Sequence, residues 1–187
     1  MLEVEVKFPV ADFSPLEAKL REWGATFDPV RHDEDRYFNA PDRDFATTDE
    51  ALRVRSIGSK NVVTYKGPKI DAETKSRLEI ETALGDDPES ARDMVRILAN
   101  LRYRATGVVR KSRRIARFQR GGFDMQASLD EVEGVGRYAE VEAMADEAQF
   151  APAKAAVLAA AGELGMTQPE RRSYLQLVLE RQPLEQR

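Results

Sequence analysis

The sequence alternates apolar and charged residues, and this alternation begins with its first strand. Four apolar residues are separated by three charged ones: Leu2, Val4, Val6 and Phe8 by Glu3, Glu5 and Lys7. A period of two is that of a β-strand, whose side chains point alternately to its two faces. The two carboxylates then lie about 7 Å apart on one face, where they can hold a divalent cation while the lysine meets an anion. For one isolated strand, a solvated polar face would be the more common explanation.

The same alternation returns along most of the chain and predicts about eight strands, each with one charged face. The charged residues that keep this pattern are acids and bases in similar numbers: Arg53, Arg55, Lys66, Arg77, Glu79, Glu81, Lys111, Arg113, Asp130, Glu140 and Glu142. Around Lys111 the parity is ambiguous, because Arg110 and Arg114 occupy the other face. Thr, Ser and Gln, which are usual on solvated strand faces, are few at these positions.

Two architectures are compatible with such strands. In an open sheet covered by helices, the charged faces would meet water. In a barrel, the apolar faces pack outward against amphipathic helices, the charged faces line one cavity, and no edge is left exposed. The ladders of opposite charge favour the second architecture. We therefore predict an α+β fold with a closed antiparallel β-barrel of about eight strands, a charged interior and surrounding helices.

A barrel of this kind would enclose two populations of charge. Burying unpaired ions is costly, and a purely structural core is more readily built from leucine and valine. A polyanion that carries a metal explains both populations, because bases bind phosphate oxygens and acids bind the metal. We expect a triphosphate with Mg²⁺ or Mn²⁺ as the ligand. A charge-lined barrel with a purely structural role is the alternative.

Composition narrows the classes of metal and partner. The 187 residues carry a net charge of −4, which does not suit a non-specific nucleic-acid binder. The chain has no cysteine, and its single histidine, His32, disfavours a zinc site or a Ser-His-Asp triad. Carboxylates remain as ligands, and they suit magnesium or manganese. No apolar run approaches a membrane span, and the first strand leaves no room for a signal peptide, so we expect a cytoplasmic protein.

The segments between the strands carry helix and loop signals. Ser14 and Glu17 predict the start of a helix with a capping box. Ser173 predicts the N-terminal cap of a last short helix. The polar stretch of residues 70–75 predicts a mobile loop.

Together the charged motifs resemble those of the CYTH superfamily, the triphosphate tunnel metalloenzymes. The family's E-x-E-x-K signature is met by Glu3, Glu5 and Lys7. Further blocks follow in the family's order: Asp35-Arg36-Tyr37-Phe38, Arg53-Val54-Arg55, residues 64–68, Arg77-Leu78-Glu79-Ile80-Glu81, Lys111-Ser112-Arg113 and residues 130–142. Residues 170–177 resemble the closing segment of the class IV adenylate cyclases and their archaeal relatives. The resemblance implies a single CYTH-like domain over residues 1–181, and we expect residues 182–187 to form a flexible tail.

The resemblance also implies a role for most of the charged residues. The implied metal ligands, for Mg²⁺ or Mn²⁺, are Glu3, Glu5, Asp130, Glu140 and Glu142. The implied phosphate ligands are Lys7, Arg53, Arg55, Lys66, Arg77, Lys111 and Arg113. Glu5, Glu142 and Lys7 are the expected catalytic residues, with a carboxylate orienting the nucleophile. Arg77 is expected either to bind phosphate or to pair with Glu79 and Glu81. No role is assigned to Asp35 or Tyr37.

Three functions remain open at this point. A class IV adenylate cyclase-like enzyme, which forms cyclic AMP and pyrophosphate from ATP, comes first because of the closing segment. A tunnel triphosphatase acting on inorganic triphosphate, thiamine triphosphate or nucleoside triphosphates is second; the lack of the His-Phe pair that some class IV cyclases carry before E-x-E-x-K favours it. A non-catalytic polyphosphate or nucleotide-binding module is third, since such a binder needs no acids. The expected partner is a nucleotide or polyphosphate, with no nucleic acid and no membrane, and the resemblance is compatible with a homodimer.

Overall fold

A computed structural model describes residues 2–181, and the predicted tail of residues 182–187 lies outside the described residues. Within this range the strands are β1 (Leu2–Pro9), β2 (Thr26–Phe27), β3 (Arg31–Asn39), β4 (Ala51–Ile57), β5 (Lys60–Lys66), β6 (Arg77–Gly85), β7 (Arg104–Arg120), β8 (Phe123–Val132) and β9 (Gly136–Ala145). The helices are α1 (Ser14–Glu22), α2 (Phe45–Thr48), α3 (Pro88–Asn100), α4 (Phe150–Glu163) and α5 (Tyr174–Arg181).

All strands except β2 close into an antiparallel barrel, as the sequence predicts. The ring runs in the order β7-β3-β4-β5-β6-β1-β9-β8, and β8 pairs again with β7. The short β2 is an additional strand that pairs with β7. Most neighbours in the ring pair along their length, whereas β1 and β6 are joined by two residue pairs, Leu2 with Leu78 and Glu3 with Arg77. The barrel is therefore closed, with one narrow seam between β1 and β6.

The apolar faces of the strands point outward, and helices cover most of them; Leu78 and Ile80 of β6 stay exposed. In the largest core, α1 and α4 pack on β1, β8 and β9, and Val4, Val141 and Val157 are fully buried there. On another side α3 covers β4, β5 and β6, with Leu98 in that core, and α5 packs against β7. The alternation of the strands thus has the predicted sense, apolar outward and charged inward. None of the helices within residues 2–181 combines the length and the apolar character that crossing a membrane would need.

The two predicted helix caps have different outcomes. The helix α1 begins at Ser14, but the predicted capping box is wrong. The Ser14 hydroxyl donates to Asp12 at 3.0 Å, and Phe13 occupies the cap position without a side-chain hydrogen bond. The carboxylate two residues before the helix competes successfully for the hydroxyl. At α5 the prediction is confirmed, since the Ser173 hydroxyl accepts the N–H of Gln176 at 3.1 Å.

The predicted mobile loop of residues 70–75 is exposed in its first part and packed at its end. Ile70, Ala72 and Glu73 are exposed, whereas Thr74, Lys75 and the following Ser76 are buried. The guanidinium of Arg171 donates to the backbone carbonyls of Asp71 and Thr74, at 3.1 and 3.0 Å. The polar groups at the buried end find partners inside the protein, so polarity does not indicate exposure there.

Candidate active site

The charged faces of the strands line a single cavity of about 630 Å³ inside the barrel, a volume within the usual range of ligand sites. Most of the predicted site residues contribute to its lining: Glu3, Glu5, Arg53, Arg55, Lys66, Arg77, Lys111, Arg113, Glu140 and Glu142. Lys7 and Asp130 are buried behind this lining. The ambiguity on β7 is resolved, because Lys111 faces the cavity whereas Arg110 lies outside and pairs with Glu34 at 2.8 Å.

Three carboxylates gather on one wall of the cavity, and we call them the acidic group. One oxygen from each of Glu3, Glu5 and Glu142 lies within 4.8 Å of the others. The register of β1 and β9 places Glu5 directly opposite Glu142, and Glu3 is on the same face of β1. Two ammonium groups contact these acids: Lys66 Nζ is 2.6 Å from Glu3, and Lys75 pairs with Glu5.

The acidic group has three carboxyl groups but contacts only two ammonium groups among the described residues. Burial raises the pKa of Glu142 to about 8, and the charges of Glu3 and Glu5 contribute to the rise. Burial also opposes ionisation of Glu5, but the ammonium groups of Lys75 and Lys66 together outweigh it and lower the pKa of Glu5 to about 2. Glu142 accepts a hydrogen bond from the Gln126 amide at 2.6 Å. A divalent cation would supply the positive charge that Glu142 lacks, so this set of oxygen donors fits Mg²⁺ or Mn²⁺.

A second cluster, on β3, β4 and β7, has the opposite balance, and we call it the cationic cluster. At its centre Asp35 accepts hydrogen bonds from Arg55 at 2.5 and 2.8 Å and from Lys111 at 2.7 Å. Arg53 lies 3.6 Å from the same carboxylate. Burial opposes the ionisation of Asp35, but these three cations hold its pKa well below the usual range. Asp33 lies farther away, 3.7 Å from Arg55 and 3.9 Å from Lys111. The bases of the cluster still outnumber its acids, which leaves capacity for an anionic ligand.

Two arginines of the cavity have hydrogen-bonding capacity that the protein does not use. The Nε atoms of Arg53 and Arg77 are buried and have no hydrogen-bond acceptor among the described residues. Buried guanidinium groups are normally paired, so these donors are suited to the oxygens of an anion. The neighbouring ion pair of Arg31 and Asp33, at 3.0 Å, adds one charge of each sign and leaves the positive balance unchanged.

Asp130 and Glu140, both predicted as metal ligands, are instead neighbours of Arg113. The Arg113 guanidinium donates to Asp130 at 2.6 Å and to Glu140 at 2.5 Å. The hydroxyl of Tyr174, from α5, also donates to Asp130 at 2.8 Å. Both carboxylates lie outside the acidic group, and their role as metal ligands stays a prediction.

Lys7 contacts the closing segment of the chain. Its ammonium donates to the carbonyl of Arg172 at 2.5 Å and lies 4.1 Å from the centre of the Tyr174 ring. Burial lowers the pKa of Lys7 to about 7, with a contribution from the charge of Lys75. The segment that precedes α5 is therefore part of the site, and phosphate binding by Lys7 stays a prediction.

Other residues of the site were assigned no role, or two possible roles, from the sequence. Glu79 pairs with Lys66 at 2.7 Å, and Glu81 accepts from Thr64 at 2.9 Å, so both help to order the cavity wall. Lys75 was missed because it lies in a predicted loop. It keeps the parity of Arg77, and extending the alternation of β6 upstream by one step would have found it.

Comparison with known proteins identifies the family to which this chain belongs. The model of the CYTH domain matches residues 1–174. The chain belongs to the CYTH domain family. Among curated proteins, "Putative adenylate cyclase MJ0240" of Methanocaldococcus jannaschii is 40% identical over 142 residues, which are 76% of this chain and 77% of that protein. The confirmed CYTH membership agrees with the resemblance that the charged motifs carry.

Solved structures share the CYTH fold along almost the whole chain. The PH1819 protein from Pyrococcus horikoshii OT3 is 36% identical, with a TM-score of 0.83 over 96% of this chain and 99% of that one. A "putative adenylyl cyclase" from Hippeastrum, described as having a dominant triphosphatase activity, is 16% identical, with a TM-score of 0.66 over 98% of this chain and 97% of its own. At that identity the likeness concerns the fold alone.

Proposed function

We propose that this CYTH protein is a metal-dependent enzyme that binds a triphosphate inside the barrel and forms cyclic AMP and pyrophosphate from ATP. The observation that carries the proposal is the pairing of an acidic group with a cationic cluster across one cavity. Such a cavity suits a polyanion together with its metal. The name of the 40% identical relative supports the cyclase reaction in particular.

The acidic residues of the cavity would bind the metal, and the basic residues would bind the phosphates. Glu3, Glu5 and Glu142 would hold Mg²⁺ or Mn²⁺, which when bound supplies positive charge next to the phosphates. Arg53, Arg55, Lys66, Arg77, Lys111 and Arg113 would bind phosphate oxygens, together with Lys7. Asp35 holds two of these bases in place before the substrate arrives, which reduces the reorganisation needed on binding.

In the cyclase reaction, the ribose 3′-hydroxyl oxygen forms a bond to the α-phosphorus. The bond from the α-phosphorus to the bridging oxygen breaks, and pyrophosphate leaves with that oxygen. The hydroxyl proton must pass to a base, and a carboxylate at Glu5 or Glu142 is suited to orienting the nucleophile for this step. The bases of the cationic cluster would stabilise the charge on the leaving pyrophosphate.

The cavity also has an apolar portion that a bare polyphosphate would not use. Tyr37, Phe45, Leu175 and Leu179 contribute to its lining, from β3, α2 and α5. Aromatic and aliphatic side chains provide contact area for the base and sugar of a nucleotide. This portion supports a nucleoside triphosphate over inorganic triphosphate as the substrate.

Product analysis tests the proposal. The purified protein is incubated with ATP, and separately with inorganic triphosphate, in the presence of Mn²⁺ or Mg²⁺. Cyclic AMP and pyrophosphate from ATP are the expected products. Orthophosphate without cyclic AMP would instead favour a tunnel triphosphatase, because the charged walls would serve hydrolysis equally well. If neither substrate is converted but triphosphate raises the melting temperature, a binding module becomes the better description.

A further inference from the structure

Two lysines contact the acidic group, and they are held in different ways. Lys66 lies in β5 and bridges Glu3 and Glu79, at 2.6 and 2.7 Å. If a metal coordinates Glu3, Lys66 still has an ion pair with Glu79. Lys75 lies before β6, and Glu5 is its one ion-pair partner among the described residues. The two side chains of that pair are 7% and 5% exposed, so their charges depend on each other.

The backbone around Lys75 is fixed at several points. Its own N–H donates to the carbonyl of Glu5 at 2.8 Å. The Arg171 guanidinium donates to three backbone carbonyls of the same segment, and Lys154 pairs with Glu73 at 2.5 Å. The side chain of a lysine has four flexible carbons beyond this backbone. A departure of the ammonium from Glu5 would therefore be a movement of the side chain and not of the loop.

A divalent cation and the Lys75 ammonium compete for the same carboxylate. Like charges at one buried site repel strongly, because the surrounding dielectric constant is low. An ammonium released into the barrel without an anion would be destabilising. Besides pairing with Glu5, Lys75 contributes to the lining of the cavity. There the oxygens of a triphosphate would be its natural acceptors.

We infer that Lys75 is an internal cation that occupies the metal position on Glu5 and that transfers to the substrate's phosphates when the metal binds. The inference rests on the proposed function and adds a residue that links metal binding to triphosphate binding. Without substrate, the ammonium is an obstacle to the metal. With substrate, the same ammonium becomes a phosphate ligand.

Substitution of Lys75→Met separates these two effects. Mn²⁺ alone, titrated calorimetrically into the metal-free protein, should bind about tenfold more tightly to K75M than to wild type, because no ammonium has to leave Glu5. Inorganic imidotriphosphate, a non-hydrolysable probe, should bind about tenfold more weakly to K75M in the presence of Mg²⁺, because a phosphate ligand is lost. Shifts in opposite directions are not expected of a merely structural residue.

Two further variants control for charge and position. Lys75→Arg keeps the positive charge, so it should not tighten Mn²⁺ binding. Lys19→Met removes an equal charge from α1, where Lys19 forms an exposed ion pair with Glu22 away from the cavity, and both affinities should stay within about twofold of wild type. Tighter Mn²⁺ binding by K19M to the same degree as by K75M would overturn the inference, since net charge alone would then explain it.

A crystal structure of the wild-type protein with Mn²⁺ provides a test that needs no variant. The inference expects Mn²⁺ on Glu5, the Lys75 ammonium more than about 4 Å from that carboxylate, and an unchanged backbone for the segment. Mn²⁺ on Glu5 with Lys75 still paired to it would overturn the inference. So would unchanged affinities in K75M. Either of these two results would overturn the inference alone, and the proposed function would stand as long as turnover requires metal. If neither wild type nor K75M binds Mn²⁺, both the inference and the proposed function are rejected.

Discussion

The two charged regions of the cavity use the same kinds of residue in opposite proportions. In the acidic group, Glu3, Glu5 and Glu142 meet two lysines, and the pKa of Glu142 rises to about 8 because of burial and the neighbouring carboxylates. In the cationic cluster, one carboxylate, Asp35, meets three bases, and its pKa is held well below the usual range although burial opposes this. Each region therefore has more groups of one kind, acids or bases, than the other, and a ligand of the opposite charge would balance the excess. Buried charge alone therefore does not indicate a ligand, whereas unequal numbers of buried acids and bases in one region do.

The largest expected effect concerns the acidic group. Glu5→Gln keeps the shape of the side chain but removes its charge, so the site loses a metal ligand. Metal-dependent turnover should fall about a thousandfold, as for loss of a positioned catalytic carboxylate. The measurement is the rate of product formation with Mn²⁺ or Mg²⁺. Glu22→Gln, at an exposed position in α1, is the matched control. Full activity in E5Q would reject the metal site.

The next effect concerns the cationic cluster and is on stability. Asp35→Asn removes the carboxylate that Arg53, Arg55 and Lys111 share, and the more distant Asp33, 3.7 Å from Arg55 and 3.9 Å from Lys111, replaces it only in part. The free energy of unfolding should fall by about 3–5 kcal/mol, measured by urea denaturation. Inorganic triphosphate should restore part of this loss, because it supplies the missing negative charge. Asp93→Asn, which affects an exposed ion pair of α3, should change stability by less than about 1 kcal/mol. Equal stabilities of D35N and D93N would contradict the assigned imbalance.

A smaller effect concerns pH. Burial lowers the pKa of Lys111 to about 8, with contributions from Arg55 and Arg113 that Asp35 and Asp130 oppose. The free protein thus loses this positive charge as pH rises through 8, whereas bound phosphate favours the charged form. Triphosphate affinity should fall about tenfold between about pH 7 and pH 9. A binding assay without metal measures it. Lys111→Arg stays charged, so the fall should be shallower; equal slopes would exclude Lys111 as the cause.

The smallest effect returns to the acidic group. Because the pKa of Glu142 is raised to about 8, this carboxyl is mainly protonated at neutral pH without metal. Glu142→Gln replaces a neutral acid by a neutral amide, so the unfolding free energy of the metal-free protein should change by less than about 1 kcal/mol. Urea denaturation in the presence of a chelator measures this. Mn²⁺ affinity should nevertheless fall. A loss of several kcal/mol would show that Glu142 is ionised and paired.

The sequence predicts the barrel and most of its lining because both depend on a period of two. Parity places Glu5 and Lys111 on the inner face without knowledge of any neighbour. Pairings across the barrel have no such signal. That Asp35 serves three bases, or that Tyr174 reaches Asp130, depends on the curvature and closure of the sheet. Lys75 was missed for a different reason: its polar surroundings resemble a solvated loop, and packing overrides that composition.

The pairing of β1 with β9 has a consequence for how the protein matures. Glu5 and Glu142 face each other, yet they come from the first and the last strand of the described chain. During synthesis the first strand emerges early, and its partner emerges only after seven other strands have been made. Contacts so distant in sequence form late and slowly. A nascent chain therefore cannot capture metal or nucleotide at this site, and competence to bind them should arise in one step when the barrel closes.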